Sequence, residues 1–170
     1  PVYIRINRGF DQVIYKSPEE CNFVWDKASV MNDGTDITVI ACGSCVFEAM
    51  QAARIAASDG GLSVRVLNMH TIKPIDKEAV LSAISDTRRI ITVEDHEVMG
   101  GLGSAVAEVV ASSGKACAFK MLGHQDAFST IGLQEDLLAM AKIDANGIAE
   151  TIQEMMHADF EADDAWDDEF

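Results

Sequence analysis

Hydrophobic positions in the middle of the chain follow two patterns, an unbroken run and a helical repeat. Residues 37–42 form an unbroken run rich in β-branched side chains, which is typical of a buried strand. Apolar residues then recur at helical spacing until the glycine pair at 60–61, and they are Val46, Met50, Ala53 and Ala57. This stretch therefore predicts a strand followed by a helix.

The strand-then-helix unit recurs further along the chain. Strands are predicted at 63–69, 89–94 and 116–122. One helix follows the break at Lys73-Pro74 with Asp76 as its N-cap, and another follows the glycines at 100–103. Their inward-facing positions are Ala79, Val80, Ala83 and Ile84 in the first helix and Leu102, Val106, Val109 and Val110 in the second.

Alternating strands and helices predict an α/β fold. Such units join parallel strands by right-handed crossovers and cover both faces of the sheet, which gives a three-layer α/β/α sandwich with a mostly parallel sheet. A fifth strand is predicted at the sheet edge within 23–31, ended by the turn signal Asn32-Asp33-Gly34. Two further helices are predicted at about 134–141 and 145–157.

The two ends of the chain differ from this core. Residues 1–6 alternate like a strand but have no predicted neighbour to pair with, and 7–22 have the mixed composition of a linker. After His157 the chain carries seven acids, interspersed with Phe160, Trp166 and Phe170. An acidic tail with few apolar residues disfavours packed structure on its own, and a non-catalytic interaction module that uses it is one functional hypothesis.

Composition and charge exclude several classes of protein. With 13 Lys and Arg against 28 Asp and Glu, the net charge of −15 would repel the phosphates of nucleic acid, so we expect no nucleic-acid partner. No apolar run approaches the ~18–20 residues of a membrane span, and we expect no basic-then-apolar leader before the first predicted strand. Four cysteines fit a reducing compartment, and a cytoplasmic location is the expectation.

A pair of cysteines, Cys42-Gly-Ser-Cys45, lies where the first buried strand ends and its helix begins. Backbone N–H groups and the helix dipole can lower a thiol pKa at such a position, so one hypothesis is a thiol-disulfide oxidoreductase. The other interpretation is that both thiols pack as small hydrophobic groups.

Two further groups of residues suggest ligands. Cys42, His70 and the run Glu94-Asp95-His96-Glu97 all follow predicted parallel strands, an arrangement that could hold Zn²⁺. A second Cys-x-x-Cys or a His-x-x-x-His is absent, so we expect no metal site. The turn Gly101-Leu-Gly103 resembles a phosphate-binding turn, but Val106 stands at the third glycine position, and we expect these glycines to allow tight helix packing instead.

Arg5 and Arg8 lie near the start of the chain, next to Gly9. A guanidinium beside a glycine turn suits bidentate capture of a phosphate or carboxylate. From these residues alone, a surface ion pair is the simpler interpretation.

Several strings, taken together and in this order, resemble the C-terminal region of transketolase. They are Tyr3-Ile-Arg-Ile-Asn-Arg8, His70-Thr-Ile-Lys-Pro-Ile-Asp76, Thr92-Val-Glu-Asp-His96, Gly100-Gly-Leu-Gly-Ser-Ala-Val-Ala-Glu108 and Leu122-Gly-His-Gln-Asp-Ala-Phe128. The resemblance reaches to about His157. 1-Deoxyxylulose-5-phosphate synthases and 2-oxoacid dehydrogenase β subunits share this domain and remain alternatives.

The resemblance implies a division of the chain. Residues 1–9 would be the last strand of a preceding pyrimidine-binding domain, 10–35 a linker and edge strand, 36–157 the C-terminal α/β domain, and 158–170 an acidic tail. The implied reaction is transfer of a two-carbon ketol unit between sugar phosphates, as in the pentose phosphate pathway.

The resemblance also implies roles and partners. Arg8 matches the arginine that holds the substrate phosphate, and no residue of this chain is expected to be catalytic or to bind cofactor or metal. Thiamine diphosphate and Mg²⁺ would be held by domains outside this chain, so the chain alone would be inactive. It would work in a homodimer, or in a heterotetramer with a subunit that binds thiamine diphosphate.

Overall fold

A computed structural model describes residues 1–8 and 12–158 of the chain. These described residues contain a short 3-10 helix (Pro18–Cys21), five strands and five α-helices. The strands are β1 (Ser29–Asn32), β2 (Ile37–Ala41), β3 (Val64–Asn68), β4 (Arg89–Glu97) and β5 (Ala118–His124). The helices are α1 (Cys45–Gly60), α2 (Lys77–Asp86), α3 (Leu102–Ser113), α4 (Gln134–Met140) and α5 (Ala145–His157).

The five strands form one sheet in the order β1-β3-β2-β4-β5. The pairs β2–β3, β2–β4 and β4–β5 are parallel, whereas β1 pairs antiparallel with β3 at the edge. The mostly parallel five-stranded α/β sheet predicted from the sequence is therefore confirmed, including its edge strand.

Helices cover both faces of the sheet. On one face α1 and α5 pack over inward side chains of β2 and β4 such as Val39 and Ile91. On the other face α2 and α3 enclose Ile40, Leu67 and Ile90. The central strand β2 is buried along its whole length because both faces are covered, which explains its unbroken hydrophobic run.

The ends of the helices follow local chemistry. The Asp76 carboxylate accepts a hydrogen bond from the Ala79 N–H at 3.1 Å, as the capping prediction requires. Asp144 caps α5 in the same way, accepting from the Gly147 N–H at 3.1 Å. At its C-terminus α1 is capped by Gly61, whose φ of 66° is left-handed backbone that favours glycine.

The first and last α-helices pack against each other, although almost the whole domain separates them in the sequence. The buried face of α1 is rich in alanine (Ala49, Ala52, Ala53 and Ala56), which lets α5 approach closely. At its edge the Ala145 N–H donates to the Glu48 carboxylate at 2.9 Å, across 97 positions of sequence. Leu138 of α4 and Ile143, which follows it, complete this side of the core.

The structure differs from the sequence predictions in the buried face of α1 and in the end of β4. Ala57 is exposed and Met50 only partly buried, because α1 packs against α5 as well as the sheet and its buried face is rotated from the predicted one. Strand β4 continues to Glu97, three residues beyond its predicted end, because it keeps pairing with β5 as far as His124.

The two ends of the chain add little to the core. Residues 1–8 are exposed and belong to no strand of this sheet, so their proposed place in a preceding domain stays a prediction. Most of the acidic tail, 159–170, lies outside the described residues. Within the described part of the chain, no helix has the length and apolar character of a membrane-crossing segment.

Candidate functional site

The carboxyl ends of the four parallel strands lie at one edge of the sheet, and this edge is the candidate site. Cys42 follows β2, His70 lies just beyond β3, and Glu94 to Glu97 end β4. The sequence predicted that these residues would reach the same edge, and they do. Across residues 1–8 and 12–158, however, no three His, Cys, Asp or Glu side chains are close enough to hold a metal ion, so the zinc hypothesis has no structural support.

The histidines at this edge have separate neighbours. The His70 ring packs on Phe23 with centroids 4.5 Å apart, and its Nδ1 lies 2.9 Å from the Thr71 hydroxyl. Burial lowers the pKa of His70, which favours the neutral ring. His96 Nδ1 lies 2.8 Å from the carbonyl oxygen of Glu97.

Glu94 is the most deeply buried acid at the edge, only 2% exposed. Its carboxylate accepts hydrogen bonds from the N–H groups of Leu102 and Gly103 at 2.7 and 2.8 Å. These are unpaired donors in the first turn of α3, and the positive end of the helix dipole adds to the attraction. Glu94 thus joins the end of β4 to the start of α3.

The glycine-rich turn before α3 is shaped around this carboxylate. A Cβ at Gly101 would collide with the Glu94 carboxylate, and a Cβ at Gly103 would lie 2.8 Å from the Met121 sulfur. These glycines allow the start of α3 to pack tightly, as expected, but against side chains of β4 and β5 and not against another backbone. The N–H groups that a nucleotide phosphate would need are taken by Glu94, so the structure gives no support to a nucleotide site here.

The two cysteines of Cys42-Gly-Ser-Cys45 are free thiols. Burial, followed by the nearby negative charge of Glu94, raises the pKa of Cys42 to about 12. Cys45 is fully buried in the core, and burial raises its pKa as well. Both shifts oppose thiolate formation, which supports packing over redox chemistry.

We expect both thiols to be unreactive at neutral pH. Alkylation by iodoacetamide at pH 7.5, followed by mass spectrometry, should modify Cys42 and Cys45 more slowly than a free cysteine. The rate at Cys42 should keep rising through pH 10, because its thiolate fraction grows about tenfold per pH unit below the pKa. A rate that levels off near pH 7 would restore the oxidoreductase hypothesis.

The two arginines at the start of the chain have different surroundings. Arg5 Nη2 donates to the backbone carbonyl oxygen of Asp95 at 2.9 Å, so Arg5 lies at the candidate site. Arg8 is exposed, and its backbone N–H donates to the side-chain oxygen of Asn7 at 2.9 Å.

Sequence reasoning missed two interactions at this edge. His124 Nε2 lies 2.9 Å from an Asp95 carboxylate oxygen, joining the ends of β5 and β4. Glu94 was grouped with candidate metal ligands, although its partners are backbone N–H groups eight and nine residues later. An acid at a strand end followed by a glycine-rich helix start was the signal that could have revealed the cap.

Most of the chain is similar to known proteins. The family model described as transketolase, C-terminal domain, matches residues 26–148. A putative transketolase C-terminal section from Methanocaldococcus jannaschii is 40% identical over 92% of this chain and 48% of its own length. One of the subunits of an apulose-4-phosphate transketolase from Phocaeicola vulgatus is 36% identical over 92% of this chain and 49% of its own length.

Another enzyme class is also similar. A 1-deoxy-D-xylulose-5-phosphate synthase from Halothermothrix orenii is 36% identical over 89% of this chain, but this chain covers only 24% of it. The chain spans about half the length of the transketolase sections and subunits that it matches.

Solved structures show the same architecture. A split gene transketolase, described as an inactive beta4 tetramer, superposes with a TM-score of 0.80 at 30% identity, over 88% of this chain and 48% of its own. Transketolase from Leishmania mexicana, at 18% identity and a TM-score of 0.58 over 77% of this chain and 18% of its own, is similar in fold alone.

Proposed function

The chain belongs to the family of transketolase C-terminal domains, and from that premise we propose that it is the C-terminal domain of a thiamine-diphosphate-dependent transketolase. The observation that carries the proposal is its likeness, along nearly the whole chain, to C-terminal sections and subunits of split transketolases. The complete enzyme would transfer a two-carbon ketol unit between sugar phosphates. This chain would complete the assembly and bind part of the substrate.

The described residues do not fit thiamine diphosphate or its metal. The helix N-terminus that would suit a diphosphate is occupied by the Glu94 carboxylate. The carboxyl edge also lacks, among the side chains described, three grouped ligands for Mg²⁺. We therefore assign the cofactor and its Mg²⁺ to domains or a subunit other than this one, and no catalytic residue to this chain.

Arg8 is the substrate-binding residue in this proposal. Its guanidinium is exposed, and it can form two parallel hydrogen bonds to a phosphate. Such a contact recognises the phosphate of the sugar and leaves the chemistry to the rest of the enzyme. The phosphorylated end of the substrate would then lie where the chain's first residues meet the α/β domain.

The assembly is part of the proposal. Similar proteins are named as subunits, and one solved relative is described as a tetramer. We propose a homodimer or a heterotetramer with thiamine-diphosphate-binding domains, acting in the cytoplasm, where the four free thiols would stay reduced.

The proposal is tested by what the 170-residue chain does alone and in combination. Isothermal calorimetry with thiamine diphosphate and Mg²⁺ should give no binding heat, and the chain alone should not turn over sugar phosphates. When the cofactor-binding part is supplied, ketol transfer should appear. Micromolar cofactor affinity of the isolated chain, or no ketol transfer by the assembly, would contradict the proposal.

The synthase-like relative makes 1-deoxyxylulose-5-phosphate synthase the main alternative. The same assembly can be supplied with pyruvate and glyceraldehyde 3-phosphate in place of a ketose phosphate donor. Carbon dioxide release with these substrates, and no transfer from a ketose phosphate, would favour the synthase. The β subunit of a 2-oxoacid dehydrogenase is the remaining alternative, and it would accept a 2-oxoacid but not a sugar phosphate.

A further inference from the structure

The strand order of the sheet has a reversal at the point where an open α/β fold ordinarily places a ligand. The connections that leave β2 and β4 run to opposite sides, to β3 and to β5, so the direction of winding reverses between these neighbouring strands. Such a reversal opens a crevice outside the carboxyl ends of the two strands, and ligands of open α/β sheets bind there. In this chain Cys42 follows β2 and Asp95 lies near the end of β4, at the two sides of the reversal.

A side chain from the start of the same chain contacts this edge of the sheet. Arg5 donates from Nη2 to the Asp95 carbonyl oxygen at 2.9 Å. Its positive charge also acts on the Cys42 thiol, opposing the rise in the pKa of that group. The guanidinium therefore contacts the end of β4.

An irregularity in the sheet leaves the Asp95 carbonyl oxygen free of the regular β4–β5 pairing. The pairing of β4 with β5 shifts register between Val93 and Glu97, and Asp95 lies in the shifted stretch. Its carbonyl oxygen can therefore accept from a donor outside the sheet. The Asp95 side chain is in turn held by His124 Nε2 at 2.9 Å, which fixes this strand end from the β5 side.

We propose that the exposed residues 1–8 dock against this edge of the sheet through the contact of Arg5 with Asp95, and that Arg5 is the positioning residue that holds them there. Arg8 lies three residues further along the same segment, so the Arg5 contact sets where Arg8 stands relative to the domain. The functional part of this inference rests on the proposed role of Arg8 in phosphate binding. The docking itself depends only on the Arg5, Asp95 and His124 contacts.

Backbone dynamics test the docking without any substrate. In the 170-residue chain, ¹⁵N relaxation should give the amides of Arg5 and Ile6 order parameters above about 0.6, the upper limit for flexible backbone. Arg5→Met keeps much of the side chain's length but removes the donors, and should bring both values below that limit. Arg5→Lys should recover part of the order, since an ammonium can still donate to a carbonyl. His124→Leu should give a smaller loss through Asp95.

Arg8→Met is the matched control, because it removes the same charge from the same segment and should leave those order parameters unchanged. Resonances of β2 and β4 report that the fold is intact in every variant. The docking is overturned if Arg5 and Ile6 are already flexible in the parent chain. It is also overturned if Arg5→Met changes nothing or if Arg8→Met has an equal effect.

The functional part has a separate readout in the complete enzyme. Arg5→Met should raise KM for phosphorylated substrates more than it lowers kcat, by a smaller factor than removal of Arg8, and Arg5→Lys should recover part of the loss. If the order parameters change as expected but Arg8→Ala leaves KM unchanged, the docking stands and the phosphate role of Arg8 fails. If the order parameters do not change, the docking fails whatever the kinetics show.

Discussion

Glu94→Ala is expected to lower the free energy of unfolding by about 3–5 kcal/mol. The substitution leaves the N–H groups of Leu102 and Gly103 without an acceptor in a buried place, and each such amide costs about 1–3 kcal/mol. The first turn of α3 also loses the negative charge that its dipole favours. Urea denaturation followed by circular dichroism should show the midpoint falling with little change in slope.

Two further variants sharpen this test. Glu94→Gln nearly keeps the shape but turns an NH₂ group toward one of the two backbone donors, so it should recover only part of the lost stability. Glu108→Ala removes an exposed acid from the same helix and should change stability by less than about 0.5 kcal/mol. If Glu94→Ala were as mild as Glu108→Ala, the carboxylate would not hold the start of α3.

Arg8→Ala in the complete enzyme is expected to raise KM for phosphorylated substrates about ten- to two-hundred-fold. That range corresponds to about 1.5–3 kcal/mol, the contribution of a hydrogen bond to a charged group. A phosphate lies remote from the bond being made, so the contact tightens ground and transition states alike and kcat should change far less. Steady-state kinetics with a ketose phosphate donor measure the change in KM and the change in kcat separately.

A donor without phosphate supplies the internal control for Arg8. Hydroxypyruvate should be used almost as well by Arg8→Ala as by the parent enzyme. Arg8→Lys should recover part of the loss, because an ammonium keeps the charge but not the planar fork. Arg54→Ala, which removes an exposed arginine from α1, should leave both donors unaffected. An equal rise in KM with both donors would show that Arg8 supports the fold or the assembly and does not bind the phosphate.

The architecture was predictable because its signals are local. The hydrophobic run of β2 and the Asp76 cap of α2 depend on residues within a few positions of each other, and both were predicted to within a residue. The buried face of α1 was predicted less well. Its alanines lie in a cluster formed with both the sheet and α5, and no local pattern shows which distant helix will pack there.

The candidate site was predictable in place but not in detail. The parallel direction of β2, β3 and β4 brings Cys42, His70 and Glu94 to one edge, as the sequence indicated. The pairing of Asp95 with His124 depends on the β4–β5 register, which residue types do not show. The state of the two thiols depends on burial: Cys42-Gly-Ser-Cys45 is compatible with redox chemistry by spacing, and only the packed core shows that its thiolates are disfavoured.

The contact between α1 and α5 affects when the domain can fold during its synthesis. Glu48 and the Ala145 N–H are 97 positions apart, so the ribosome must add almost all of the domain before this bond can form. Until then, the side of α1 that packs against α5 has no partner, although the side that faces the sheet is already covered. Contacts between such distant residues slow folding, and uncovered apolar surface invites aggregation. A nascent chain that stalls before α5 is therefore a natural client for chaperones.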